Sequence, residues 1–397
     1  MANEQLARIV GERVRFYRAT ARKTKTVVAG LAGITPDYLY QIERGQKLPT
    51  LTVLAQLADI LRVELSALLG HQPMPGPSRS SSAHGDVLYR ALTDPTSHSR
   101  EVSPLPTLRH EVLNAWRTWQ TSPHRYSEVV QRLPRLVAAV NTATRAAQPA
   151  DQQASHRIAA DLYGLLRTVT KRVGRGDLSL LAADRAVRAA EAADDPLRMA
   201  GATWNLTQVL LADGQTEGAE ATAMHAVEQL QPGVTDGNPD ALALSGALHL
   251  VAAIAAARRG DTWTARDRLR TTVPWAEHTG ERNTCWTAFG PTNVAMYAVS
   301  VEVEAGEGLR LAERIDYEHS PSIERRVAFL LDQAKGHQQR RDYGSALTLL
   351  SAAEREAPED VRYRPAAHAV LRTVAERGHR SISREAARLA DRVGLPL

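Results

Sequence analysis

The stretch Thr35-Pro36-Asp37-Tyr38-Leu39-Tyr40-Gln41-Ile42-Glu43-Arg44-Gly45 decides how the N-terminal part of this chain is read. Thr35 can cap the first free amide of a helix, Pro36 fits the first turn, and Gly45 can take the left-handed conformation that ends it. Leu39 and Ile42, three apart, turn inward, while Asp37, Tyr38, Tyr40, Gln41 and Arg44 are left to solvent. A helix this short does not stand alone in water, so neighbours hold it and its polar face is displayed to a partner.

Working outward, Leu6, Ile9, Val10, Val14 and Tyr17 recur at helical spacing and predict a first helix from Gln5 to Ala19. Thr24 opens a second, Lys25 to Ala32, in which Val28, Ala29 and Leu31 are expected inside, and Gly33-Ile34 makes a tight turn into the quoted stretch. Two helices joined by a short Gly-containing turn, the second with exposed polar residues, form the helix-turn-helix layout. Thr50 starts a fourth helix with Leu51, Leu54, Leu57, Ala58 and Leu61 on one face, and Val63, Leu65, Leu68 and Leu69 supply a short fifth. Residues 1–70 carry ten Lys/Arg against six Asp/Glu, whereas the other residues carry 39 against 38. A basic head on a neutral body points to a polyanion partner at the head.

Residues 6–70 resemble the XRE, or phage-repressor/Cro, class of helix-turn-helix domains. The likeness is carried by Val28-Ala29, Gly33-Ile34-Thr35, Ile42-Glu43-Arg44-Gly45, Pro49, and Leu54 through Leu61 followed by Val63. It implies that the quoted helix enters the major groove of an operator. Lys25, Arg44 and Lys47 lie where this family grips phosphates, and Tyr38 can add a hydroxyl donor. Tyr40 and Gln41 face base edges, Gln favouring adenine, and Asp37 can accept from cytosine. Pro36 and Asp37 depart from the family, whose members often place amide or basic side chains there. Glu43 is expected to pair with a first-helix arginine such as Arg15. A single head buries too little surface for tight specific binding, so a homodimer on a palindromic double-stranded operator is expected.

The remaining sequence predicts an all-α chain. Only 5% of residues are aromatic, and Ala, Leu and Arg recur throughout. Residues 71–106 read as a Pro/Ser/Gly-rich linker, with one or two helical turns at Val87–Leu92. From 107 to 397 helices come in pairs, over 107–147, 156–193, 198–230, 240–278, 287–316, 323–356 and 361–393. Junctions at Gly176-Asp177, Asp213-Gly214, Gly260-Asp261, Gly306-Glu307 and Asp342-Tyr343 are followed by small residues such as Ala182, Ala219, Ala265, Ala312 and Ala346. Tight turns reverse the chain and alanines let the paired helices approach. This part resembles tetratricopeptide-type solenoids, and Trp204-Asn205-Leu206 with Gly214 and Ala219 is its best-matching unit. The whole resembles large XRE-type regulators of actinomycetes, and in layout the peptide-responsive regulators of Gram-positive bacteria.

Such a tail is expected to dimerise and to bind a small-molecule or peptide effector. Trp263, Trp275 and Trp286 are expected to cluster around Cys285, with Asn293 and Tyr297 following on the next helix. Asn205, Trp263, Trp286, Asn293 and Tyr297 are therefore the candidate ligand residues, the asparagines clamping a peptide backbone. The alternatives are plain repeat packing, or a tail that docks other proteins and binds no small ligand. No metal, cofactor or catalytic motif is present: His-Glu-x-x-His, the P-loop, the Gly-x-Ser-x-Gly elbow and the dinucleotide fingerprint are all missing, which argues against an enzyme. Cys285 stands alone, so an internal disulfide is excluded. With no run of 18 apolar residues and no apolar N-terminal segment, the expectation is a soluble cytoplasmic protein.

Overall fold

The structure is a computed structural model that describes residues 2–21, 23–61, 63, 65–69, 79–94, 102–306, 309 and 311–395. The chain divides into two compact units, Met1–Gly76 and Pro77–Leu397. Every regular element among the described residues is helical.

The N-terminal unit contains α1 (Ala2–Thr20), α2 (Lys25–Leu31), α3 (Pro36–Glu43), α4 (Leu51–Leu61) and α5 (Leu65–Leu69). Val10, Val14, Val28, Ala29, Leu39, Ile42, Leu54, Leu57 and Leu68 form its core. Thr24 and Thr35 cap α2 and α3, their hydroxyls accepting from the amides of Val27 and Tyr38 at 3.3 and 3.1 Å. Leu31, expected inside, is 63% exposed, and Ala32, one helical repeat on from Val28, takes the inner position. Where α1 crosses the end of α3, backbone meets backbone: a Cβ on Gly11 would lie 2.1 Å from the Ile42 carbonyl oxygen. Only glycine permits that approach.

The C-terminal unit begins with α6 (Arg79–Thr93), α7 (Leu105–Thr121), α8 (Arg125–Val130) and α9 (Leu133–Ala146). Antiparallel pairs follow: α10 (Gln152–Arg172) with α11 (Gly176–Ala192), α12 (Pro196–Ala212) with α13 (Thr216–Thr235), and α14 (Pro239–Arg258) with α15 (Thr262–Thr279). Next come α16 (Pro291–Glu304), α17 (Ile323–Gln339), α18 (Tyr343–Glu356), α19 (Pro358–Tyr363), α20 (Pro365–Arg377) and α21 (Arg380–Val393). Helix α10 packs on α12, α12 on α14 and α14 on α16, so these four form a continuous layer with α11, α13 and α15 on its other side. The turns are built as their composition dictates. Gly214 and Gly260 adopt φ of 78° and 83°, Asp261 and Asp342 cap the following helices, and Ala182, Ala219, Ala265 and Ala346 are fully buried between paired helices.

Two regions differ from expectation. Within 71–106, α6 is a 15-residue helix rather than a turn or two. Leu88, Ala91 and Leu92 bury its face in the tail core against α9 and α11, and that burial overrides the weak local propensity. The span 287–316 is not a helix pair: α16 stands alone, and beyond Gly306 the described chain makes only short 3-10 turns at Ala312–Arg314 and Tyr317–His319. Helix α14 is long and apolar enough to cross a membrane by composition alone, yet 94% of that window is buried within the tail, between α13 and α15.

Candidate DNA-reading helix and tail chamber

On α3 the predicted reading residues are tied to one another. The Gln41 amide donates to Asp37 Oδ2 at 2.9 Å, one turn apart, which fixes the amide along the helix. Tyr40 is exposed, and two cations stack on its ring, Lys25 at 4.5 Å and Arg44 at 5.1 Å, while Lys47 lies 5.7 Å from the Tyr38 ring. The tyrosines thus hold three predicted phosphate contacts in place at small desolvation cost. Glu43 is the buried residue of this face. Its partner is Arg18, not Arg15: Arg18 Nη2 donates to Glu43 Oε2 at 3.2 Å, and Lys25 Nζ lies 3.6 Å from the same oxygen. Arg18 stands one turn nearer the end of α1, where the chain turns towards α2, and its other nitrogen donates to the Lys23 carbonyl at 3.0 Å.

In the tail, the predicted aromatic cluster forms with different members. Trp263, at the start of α15, is 70% exposed and lies outside the two cavities described below, and Trp275 packs edge-on against His249. Neither joins Trp286. The ring stacked on Trp286 is Trp116, from α7, at 5.1 Å between centroids and 7° between planes. Trp116 donates to the Asp161 carbonyl, and Gln120 reaches the Trp286 carbonyl at 3.3 Å.

The loop carrying Trp286 is built to hold it. Arg282 N donates to the Phe289 carbonyl, the Asn283 side chain accepts from Ala288 N, and Arg282 and Thr284 both bind Asp240 at the start of α14. Cys285, Trp286 and Ala288 have φ of 47°, 64° and 53°, a conformation that costs free energy in non-glycine residues and persists only where packing enforces it. Gly201 and Gly246 provide the seats: a Cβ on either would overlap Cys285 or Phe289. Burial pushes the Cys285 thiol up to about 12, so it stays protonated, as suits a packing residue.

A cleft open to solvent, with about 490 Å³ of empty space counting the solvent at its mouth, lies between α7, α10, α12, the Trp286 loop, α16 and the start of α17. A second, shallower cleft, also open to solvent, lies across the Trp116–Trp286 pair and is lined in part by Asp161, Arg198, Asn205 and Cys285. Trp286 and Tyr297 both line the larger cavity. The side chains of Asn205 and Asn293 are both engaged within the chain. Asn205 Oδ1 accepts from Arg167 Nη2, and Asn293 Oδ1 accepts from Arg325 Nε at 2.8 Å, so each amide positions an arginine of the cavity wall.

Sequence reasoning missed those arginines, along with Lys171, Arg172 and Glu324. The sequence holds no local signal for Arg167, which shares a helical face with Tyr163, Gly164, Thr170 and Lys171, opposite the Leu162/Leu165/Val169 stripe, and is buried only by the packing of other helices. Burial pulls the Arg167 guanidinium down to about 9, and burial with Arg172 and Arg167 nearby holds the Lys171 ammonium well below its ordinary range. Against the effect of its own burial, Arg172, Arg125 and Arg364 hold the Glu324 carboxyl well below the carboxylate range. Among the described residues no group of His, Cys, Asp and Glu converges as a metal site.

The five-helix unit with its capped, solvent-facing α3 is a helix-turn-helix domain: residues 9–69 match the family described by that name. Two Mycobacterium tuberculosis proteins, each named an uncharacterized HTH-type transcriptional regulator, are 32% identical to this chain over 78 residues. The match covers 20% of this chain and 56% of theirs, so the chain spans about half the length of these curated relatives. Among solved structures, Bacillus thuringiensis PlcR in complex with the peptide PapR7 and DNA aligns with 68% of this chain and 95% of its own, at 12% identity and a TM-score of 0.30. The apo form of ComR from S. thermophilus aligns with 89% and 97%, at 12% identity and a TM-score of 0.22. Likenesses this weak say nothing about what the tail binds.

Proposed function

We propose that this chain is a DNA-binding transcriptional regulator of the cytoplasm, acting as a homodimer on a palindromic operator under the control of an effector bound by its helical tail. One observation carries the reading: α3 is capped, held from behind by Leu39, Ile42 and Glu43, and presents Gln41 and Tyr40 beside Lys25, Arg44 and Lys47. Helices of this size fit the major groove, cations at the rim take phosphates, and the amide between them reads a base edge. Asp37 orients Gln41 and leaves the amide oxygen and one N–H free for an adenine.

Selection of bound DNA from random pools, with and without cell extract, tests this directly. The expected product is a palindrome whose half-sites are about 10 base pairs apart, one helical turn. Gln41→Ala is expected to relax preference at one position of each half-site. Arg44→Ala should weaken binding to all sequences and lower the salt slope by about one per site. Equal loss on all sequences for Gln41→Ala would remove it as a reader.

A further inference from the structure

The larger tail cavity carries positive charge that its own acids do not balance. Arg167, Lys171, Arg172 and Arg325 line it, and Glu324 is the single carboxylate among the lining residues. Glu324 is already engaged, by Arg172 Nε at 2.8 Å and Trp119 Nε1 at 2.9 Å. Arg167 and Arg325 are instead oriented by the two asparagine amides, which accept a hydrogen bond without cancelling the charge. Arg167 is 4% exposed, its Nε meets no acceptor, and neither does Nη2 of Arg325. A buried arginine of purely structural use is paired with a carboxylate, because a buried charge without a counterion is costly. Each arginine also lies over an aromatic ring, Arg167 at 5.5 Å from Trp204 and Arg325 at 4.4 Å from Tyr297, which holds the fork flat and leaves its edge for a ligand. The capped start of α17 at Ser322 borders the same space and adds the positive end of its dipole.

We propose that this cavity is the effector site and that it takes a small organic anion. Arg167 and Arg325 bind a carboxylate or phosphate headgroup, and Trp204, Trp286 and Tyr297 pack against a planar or apolar body. The inference rests on the reading of the tail as an effector domain and narrows the effector to one chemistry. The asparagines are positioning residues: they aim the guanidinium groups and do not touch the ligand.

The test uses the full chain and three probes of similar size, phenylacetate, phenyl phosphate and neutral phenylacetamide, read by thermal unfolding and tryptophan fluorescence. At least one anion is expected to raise Tm and change the emission of the Trp116–Trp286 pair, while phenylacetamide at equal concentration does neither; the responding headgroup distinguishes carboxylate from phosphate. Arg167→Gln should abolish the anion's effect while the unliganded protein keeps or raises its own Tm, because an uncompensated buried cation is gone. Should that variant fail to fold, Arg325→Gln supplies the same comparison, with binding expected to weaken by about tenfold or more. Equal shifts from anion and amide, no shift from either anion, or an anion shift that survives both substitutions overturns the proposal. Affinity for the selected DNA is measured in the same samples. Anion binding that leaves it unchanged sinks effector control but not the site, and absent anion binding with intact DNA binding sinks the site alone.

Discussion

Replacing Glu43 by glutamine removes one negative charge from beneath the reading helix while preserving shape and an amide acceptor. The Glu43 side chain is 2% exposed and Arg18 is 14% exposed. At their 3.2 Å contact, an effective dielectric of about 20 gives a gross attraction of about 5 kcal/mol. Much of that offsets the desolvation of both groups, but the substitution leaves the arginine in place without its counterion, which typically costs about 3–5 kcal/mol when fully buried. Because Arg18 keeps some hydration and its bond to the Lys23 carbonyl, we expect about 2–3 kcal/mol. The N-terminal unit contains no tryptophan, so amide hydrogen exchange followed by mass spectrometry on the full chain is the suitable assay. Protection of the peptide covering α3 should fall by roughly 30- to 150-fold, with the tail peptides unchanged. Adding Arg18→Met should recover part of the loss, since a well-packed apolar side chain replaces an unpaired cation. A change in α3 protection of less than about twofold would refute the view of Glu43 as the clamp beneath the helix.

Gly246→Ala places a methyl group 2.1 Å from the Phe289 ring, so the Trp286 loop must shift, at a cost of about 1–3 kcal/mol in urea denaturation, with altered tryptophan emission. An unchanged spectrum and midpoint would mean that the loop is not seated as described. Acid should act through Asp360, whose carboxyl Arg125 and Arg364 hold below the carboxylate range despite its burial. A depressed folded-state value means that the contribution is fully present above the unfolded value of about 3.9 and is lost as pH falls through the folded one. Glu324 behaves likewise, while Asp332, pushed up by burial, works the other way. The comparison is therefore between the wild type and Asp360→Asn: the variant should be less stable at neutral pH and lose less on acidification below about pH 4. Parallel pH curves would exclude Asp360 as a source of the acid sensitivity.

Where signals were local, the sequence could be read. The α3 caps, the Leu39/Ile42 face, the glycine turns and the buried alanines all follow from dihedral preference and helical period. What failed was identity across distance. Arg15 and Arg18 are both three-residue neighbours on one helix, and only the crossing of α1 over α3 selects between them. Trp263 is near Trp286 in sequence, but α7, far upstream, supplies the ring that stacks on it. Asn205 and Asn293 read in the sequence as polar groups on two helices, and only the fold brings to them the arginines they hold. Those arginines are unremarkable in a chain rich in arginine until the fold buries them. In α6, local composition argues for a linker, and only packing by Leu88 and Leu92 makes it a helix.

The buried pair of Arg125 and Asp360 joins α8 to α19 across 235 residues, with Tyr126 donating to the same carboxylate at 2.9 Å. On the ribosome that separation is an interval of time. At about 5–20 residues per second, Arg125 is made roughly 10–50 s before its counterion exists. Until Asp360 is made, Arg125 and Tyr126 lack the carboxylate they bind in the folded tail. Completion of this polar core is thereby tied to α19.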